Sequence, residues 1–463
     1  MLILIPLIIF SILYLPFINS IPYLDGNIDL IRSYDFFNGG FAHYFLSWGS
    51  VHPPSKLFIT DILFNTFGIN VYSYNIIGLI FGIIGIIYIY KLCESIFDKK
   101  TAMFAAIILS TYPLFIATGI FSLTDYLTSI LIIVSLDYYS RKKYFLYAIF
   151  SSIAVLTKET ALLIPITIML IEVIYSLSKV KTIFKNQRLV LLRSACLFLP
   201  LFTYYCWSLY IAMNGQAAWN DWNFSATANK GSLYTIINNL KTFNFLNQYA
   251  YQSWKQLFLL NFNWILWLIV TIGIIIFIAK NFKYVGKLLT SGKQKIKTIL
   301  VIVVFSVLYL FTVLSFQTYT IPRYALPVLC LLIIGVSWTI TKSINKFNLL
   351  LKVLFIIVFI VFIIVRLFYS IDPLSISLWG QTSILNQNFY ALNEHLAGND
   401  GITYNMQYNL ITKDRSDKLK KARGFVISNQ CNWIFPDPNN DYKTIKILKL
   451  LNLNITNPCI YNY

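Results

Sequence analysis

Between Leu24 and Phe58 the stretch LDGNIDLIRSYDFFNGGFAHYFLSWGSVHPPSKLF gathers Asp25, Asp29, Arg32, Asp35, His43, His52 and Lys56 within otherwise apolar sequence. Further charged or polar side chains of the same kind follow at Asp61, Asp125, the pair Lys158 and Glu159, and the pair Arg323 and Tyr324. A carboxylate held within hydrogen-bond reach of a hydroxyl can take its proton. A fixed Lys or Arg stabilises a developing oxyanion far better at a dry boundary than in water. Asp25 and Asp125 are therefore the candidate catalytic carboxylates, Lys158, Arg323 and Lys56 the candidate anion-binding cations, and His52, Asp29, Glu159 and Tyr324 candidate substrate contacts. Each also has a plainer reading. Asp25 can cap a helix ahead of NIDLI, Asp29 and Asp35 fall on the solvated side of that helix, and His52 can simply end a loop, because Pro53 and Pro54 impose an extended approach to the next helix. Asp125 follows Thr124 at a helix start, a capping position. Lys158 and Arg323 can reach headgroup phosphates along their stems.

What must position these groups is a membrane bundle. Of 463 residues, 57% are hydrophobic and 12% charged, with a mean hydropathy of +0.67; soluble domains carry about 25% charged residues. A bilayer span needs about 20 apolar residues, and about eleven candidate runs lie near 1–20, 71–93, 101–118, 124–140, 144–157, 161–178, 189–211, 259–279, 298–316, 324–341 and 349–369. The expected fold is an all-α polytopic membrane domain over residues 1–369. A small extracytoplasmic α/β lobe is expected over 370–463, where GITYNM, GFVISN and TIKILKLLN are interspersed with Pro436, Pro438 and Pro458.

Charge sets the expected orientation, since Lys and Arg in short loops mark the cytoplasmic side. One alternate set of loops carries Lys91, Lys99 and Lys100, then Arg141 to Lys143, then Lys179 to Arg193, then Lys280 to Lys297, then Lys342, Lys346 and Lys352. The opposite loops hold more sequence and fewer cations: Arg32, Lys56, Lys158, Lys230, Lys241, Lys255 and Arg323. The N-terminus is thus expected in the cytoplasm and the candidate site and C-terminus outside, in a multi-pass protein of the cell membrane. The opening segment lacks a positive n-region and a small-residue cleavage site, which reads as a retained signal anchor. The net charge of +19 is accounted for largely by inner-loop cations facing anionic lipids; no basic face interleaved with aromatics calls for nucleic acid. Cys431 and Cys459, both in the expected outer tail, can pair in an oxidising exterior, and no Cys/His spacing suggests zinc.

DGNIDLIRSYDFF followed by HPPSKLFI, then SLTDYLTSILIIVSLDYYSRKKYFLYAIFSSIAVLTKETALLIP and IPRYALPVL, together resemble the GT-C class of membrane glycosyltransferases. Within it the protein O-mannosyltransferases, the aminoarabinose transferases of lipid A and RgtA-like enzymes are most alike, over roughly residues 1–340. The resemblance implies transfer of a sugar from a polyprenyl-phosphate donor to a protein, lipid or glycan acceptor on the non-cytoplasmic face. It implies Asp25 as the catalytic Asp of the first outer loop, Asp125 as the acidic residue of the second, and His52, Pro53, Pro54 and Lys56 as the HPPxxK pattern of the mannosyltransferases. In the family the first Asp usually precedes a Glu; here Gly26 stands in that place, and Asp29 one helical turn later is the candidate substitute. The cations Lys158, Arg323 and Lys56 then face the donor phosphate.

A single in-line displacement inverts the anomeric centre, by the geometry that separates acid and base in inverting glycosidases. Asp25 and Asp125 could together hold Mg²⁺ or Mn²⁺, but organic cations already serve the phosphate and the expectation is that no cofactor is required. Two rivals share the lipid-linked ligand: a transporter or flippase, which would be expected to show repeated halves and broken helices at the midplane, and a polysaccharide polymerase or ligase. The sequence reading predicts that Asp25→Asn leaves the fold intact and abolishes transfer, measured on purified protein; full turnover in that variant removes Asp25 from the base role.

Overall fold

The computed structural model describes residues 3–15, 53–68, 71–120, 122–177, 187–213, 293–316 and 322–368, together with isolated positions at 18, 33, 36–37 and between 238 and 275. All regular structure among the described residues is helical. In chain order the helices are α1 (Leu4–Tyr14), α2 (Ser55–Phe67), α3 (Val71–Ile96), α4 (Lys99–Ser110), α5 (Pro113–Ile120), α6 (Thr124–Ser140), α7 (Tyr144–Val155), α8 (Leu163–Leu177), α9 (Gln187–Met213), α10 (Gln294–Phe316), α11 (Leu326–Ile344) and α12 (Leu349–Phe368). Short 3₁₀ turns at Glu159–Leu162 and Pro322–Ala325 precede α8 and α11. Four helices are long and apolar enough to cross a membrane, or five if the bent pair α4–α5 is one span. The chain is a multi-pass membrane protein. The expected run at 259–279 is described only in part, and the C-terminal segment 370–463, with Cys431 and Cys459, lies outside the described residues.

Helix α6 is the axis of the bundle. Its sequence TDYLTSILIIVSLDYYS has no wholly polar face, and a helix that is apolar all round is a buried one; almost every side chain from Thr124 to Asp137 is buried. It packs against α3, α7, α10 and α11. Hydroxyls inside such a core need partners, and they find them one turn back: Thr128 donates to the Thr124 carbonyl at 2.9 Å, Ser129 to Asp125 at 2.6 Å and Ser135 to Leu131 at 2.7 Å. This local satisfaction lets Ser and Thr sit where water does not reach.

The run at 101–118 reads as one span, and the structure divides it. Helices α4 and α5 meet at a bend of 55°, because Pro113 supplies no amide hydrogen to continue α4. The carbonyls left at the break are taken up from across the bundle. Arg366, buried near the end of α12, donates Nη2 to the carbonyls of Ile108 at 3.1 Å and Thr111 at 3.0 Å, with its guanidinium 5.0 Å from the Tyr112 ring centre. Beyond the break, α5 lies hard against α3 and α1. A Cβ on Gly78 would stand 2.1 Å from both the Gly119 carbonyl oxygen and Tyr14 Oη, so only glycine permits this approach. Tyr14 donates its hydroxyl to the Asn75 carbonyl at 2.7 Å and to the Gly119 carbonyl at 3.1 Å.

Replacing Arg366 by Met removes the donor to the buried Thr111 carbonyl and leaves Ile108 only the long 3.4 Å bond from Thr111 Oγ1, and a buried carbonyl left unmet costs about 1–3 kcal/mol. The expected outcome is a clear fall in the thermal midpoint of detergent-solubilised protein, with the helical circular-dichroism signal of the folded state retained.

Candidate functional site

Three of the sequence-selected charges meet at one end of α6. The α5–α6 turn is tight: Ser122 takes a left-handed φ of 47°, its amide donates to the Gly119 carbonyl at 2.9 Å, and its hydroxyl donates to the Tyr74 carbonyl of α3 at 3.2 Å. That turn delivers Asp125 to the first turn of α6, where the positive end of the helix dipole favours a carboxylate. Because α6 and α7 form an antiparallel hairpin, the C-terminal end of α7 returns to the same level. There Thr157 and Lys158 both donate amides to the Ala154 carbonyl, at 3.0 and 3.1 Å, and Lys158 leaves the helix in an extended conformation. Arg323 arrives from the 3₁₀ turn ahead of α11.

Lys158 Nζ donates to Asp125 Oδ1 in a short contact, and Arg323 Nε lies 3.6 Å from Asp125 Oδ2. All three residues are almost fully buried, at 5% exposure or less. Tyr324 closes one side, its ring centre 4.3 Å from Lys158 Nζ and 5.3 Å from the Arg323 guanidinium carbon. Burial alone would push the Lys158 pKa down, but the Asp125 carboxylate, helped by Tyr309, Tyr324 and Glu159, overrides it and holds the ammonium above the ordinary lysine value. Lys158 therefore stays charged throughout the physiological range. One buried carboxylate here faces two buried cations, with the half-buried Glu159 next to Lys158 in sequence. Fixed, desolvated cations of this kind attract an anion strongly.

Lys56 is brought to the same end by a different route. The Ser55 amide donates to the Leu156 carbonyl at 2.9 Å, which ties the start of α2 to the turn that carries Lys158. The buried Lys56 Nζ stands 5.3 Å from the Tyr74 ring centre, on the residue whose carbonyl receives Ser122. Glu159 follows Lys158 in the 3₁₀ turn and is half-buried. Asp25, Asp29 and His52 lie outside the described residues, and so does the joint Asp25 and Asp125 metal set. Among the described residues no group of three His, Cys, Asp or Glu side chains is arranged to hold a metal ion.

One neighbour was not selected from sequence. Tyr309 of α10 is buried beside the cluster and donates its hydroxyl to Thr160 Oγ1 at 3.4 Å. A polar-tipped aromatic within the apolar run VIVVFSVLYLF was the available signal, since a buried tyrosine hydroxyl needs a partner.

Residues 51–207 match the family described as dolichyl-phosphate-mannose-protein mannosyltransferase. The match takes in Lys56, Asp125 and Lys158 and leaves out Asp25 and Arg323. No curated protein matches the sequence. Among solved structures, the oligosaccharyltransferase of Archaeoglobus fulgidus in its apo form is similar at 12% identity and a TM-score of 0.53, over 88% of this chain and 59% of that one. The same enzyme tethered to an acceptor peptide gives 13% identity and a TM-score of 0.51, over 90% and 59%. This chain thus spans less than two thirds of the archaeal enzyme's length. ArnT from Cupriavidus metallidurans bound to undecaprenyl phosphate is similar at 12% identity and a TM-score of 0.48, over 92% and 76%.

Asp125→Asn would leave Lys158 and Arg323 buried without their carboxylate, a change that costs about 3–5 kcal/mol in comparable pairs. The expected outcome is a large fall in thermal midpoint, partly recovered by adding Lys158→Met, as a double-mutant cycle would report. A family match running through Lys56, Asp125 and Lys158, in a helical fold shared with the archaeal oligosaccharyltransferase, makes this chain similar to the GT-C class of polyprenyl-phosphate-dependent membrane glycosyltransferases.

Proposed function

We propose that the protein is a glycosyltransferase that moves a single sugar from a polyprenyl phosphate, dolichyl or undecaprenyl, to a hydroxyl of a protein, lipid or glycan acceptor at the outer face of the cell membrane. The observation that carries this reading is the buried triad in which Asp125 holds both Lys158 and Arg323 at one end of α6. A leaving phosphate gains negative charge as its bond to the anomeric carbon breaks, and fixed cations at a dry boundary stabilise that change where solvent cannot. The description of the matching family, with its dolichyl-phosphate-mannose donor, supports the same ligand chemistry.

In the proposed reaction the acceptor oxygen attacks the anomeric carbon, the bond from that carbon to the phosphate oxygen breaks, and the electron pair leaves with the polyprenyl phosphate. Lys158 and Arg323 receive the phosphate. Both carboxylate oxygens of Asp125 already face cations, so its part is to hold them in place; the acceptor proton goes to Asp25 of the first outer loop. Tyr324 backs both cations, with Lys56 in support, and His52, Asp29 and Glu159 are assigned to substrate contacts. Displacement in one step inverts the anomeric configuration. With organic cations on the phosphate, turnover runs without Mg²⁺ or Mn²⁺. The expected architecture of about eleven spans, cytoplasmic N-terminus and extracytoplasmic C-terminal lobe belongs to this reading.

The test is membranes containing the protein supplied with radiolabelled polyprenyl-phosphate monosaccharide. Label should appear on a new acceptor, persist in EDTA, and fall roughly 10²-fold or more in Lys158→Gln and in Arg323→Gln, the usual loss when an oxyanion-stabilising donor is removed. Label that crosses the bilayer still on its carrier would instead favour a flippase, and bulk transfer of a preformed glycan a polymerase or ligase.

A further inference from the structure

The other end of α6 carries a second cluster built on the same plan, which the proposed reaction does not use. Tyr139, about four helical turns from Asp125, donates its hydroxyl to Glu172 Oε1 at 2.7 Å, and Lys297 Nζ donates to Glu172 Oε2 at 2.7 Å. Arg193 pairs with that same Oε2. Four helices contribute: α6 through Tyr139, α8 through Glu172, α9 through Arg193 and α10 through Lys297. Glu172 and Lys297 are buried, whereas the Arg193 side chain is 35% exposed. Its guanidinium lies 4.8 Å from the Tyr144 ring centre, and Lys297 lies 4.7 Å from that of Tyr175.

Both oxygens of Glu172 are already engaged by Tyr139 and Lys297, so Arg193 comes to the carboxylate as a second cation, its Nη2 buried against Glu172 and the rest of its side chain partly exposed beside Tyr144. The adjoining chain holds no acid to balance it. From Glu172 to Asp221 the sequence has no Asp or Glu, and from Asp221 to Asp372 it has none either. What precedes Arg193 and Lys297 in sequence is instead Lys179, Lys181, Lys185 and Arg188, and Lys280, Lys283 and Lys287. Immediately before Arg193 on α9, Leu191 and Leu192 are 72% and 55% exposed. Apolar side chains beside a partly exposed arginine match a ligand that has both an anionic head and hydrocarbon tails. A guanidinium fork grips phosphate oxygens in pairs, and basic pockets between membrane helices take anionic head groups.

We propose that Arg193, held in place by Glu172 and supported by Lys297, binds the phosphodiester of an anionic phospholipid in the leaflet opposite the Asp125 cluster. The headgroup takes the exposed part of the Arg193 side chain and its acyl chains run along Leu191 and Leu192.

The test uses the full-length protein in phosphatidylcholine nanodiscs with increasing phosphatidylglycerol, read by thermal midpoint and by bound-lipid counts in native mass spectrometry. The wild type should show a saturable rise in midpoint with retained phosphatidylglycerol. Arg193→Gln should raise the half-saturating lipid fraction about fivefold, the effect of one interfacial cation, while Lys352→Gln at the start of α12 leaves it unchanged. If Arg193→Gln fails to fold, Arg193→Lys keeps the charge and loses the fork, and it should still weaken retention. A wild type without saturable binding, an equal response in the Arg193 variants, or the same rise with inorganic phosphate alone would each overturn the proposal, the last in favour of a soluble anion. None of these readouts involves sugar transfer.

Discussion

A carboxylate and two cations, all but hidden from solvent, set the terms for this bundle. Asp125, Lys158 and Arg323 come from three places far apart in sequence, and each would be costly to bury alone. Together they are tolerable, and their need for one another ties the start of α6, the end of α7 and the start of α11 to a common level. Hydrophobic burial holds helices side by side but says little about their axial register. A charge triad does, because a slip of one turn would separate groups that cannot be left unpaired.

The frame around the triad follows the same logic of leaving no polar group stranded. Serine and threonine hydroxyls fold back onto carbonyls one turn earlier. Tyr14 crosses to α3 and α5, and Arg366 reaches from the last described helix to the break between α4 and α5. These tethers fix α5, which in turn aims the Ser122 turn and so Asp125. The meeting of two cations on one carboxylate is thus a property of the whole bundle's arrangement, not of a local loop.

Much of this was legible in sequence because membrane hairpins alternate ends. Once α6 and α7 are recognised as neighbours, Asp125 and Lys158 must share a face, and helix α6 occupies residues 124–140 as the apolar run indicates. Other features were not. The run at 101–118 carries no charge, and only Pro113, with Ser110 and Thr111 just before it, signals the break. Helix α2 is hidden in what reads as a polar loop, its mixture of Lys56, Thr60 and Asp61 giving no clean period. Arg193 and Lys297 count as inner-loop cations in a charge tally, yet the helices extend past them and Glu172 draws both into the bundle. Tyr309 carries no charge and lies in a Leu- and Val-rich run, so only the fold brings it beside Lys158.

The backbone bond from Ser55 to the Leu156 carbonyl has a counterpart at the other side of the first loop, where Asn75 Nδ2 donates to the Ile18 carbonyl at 2.9 Å. Ile18 and Ser55, at the two ends of this segment, are each bonded to the bundle in this way. Closing such a segment grows harder only slowly with its length. Changes of length between the two moorings would therefore cost the fold little, and would be felt instead by Asp25, the proposed base that this segment carries.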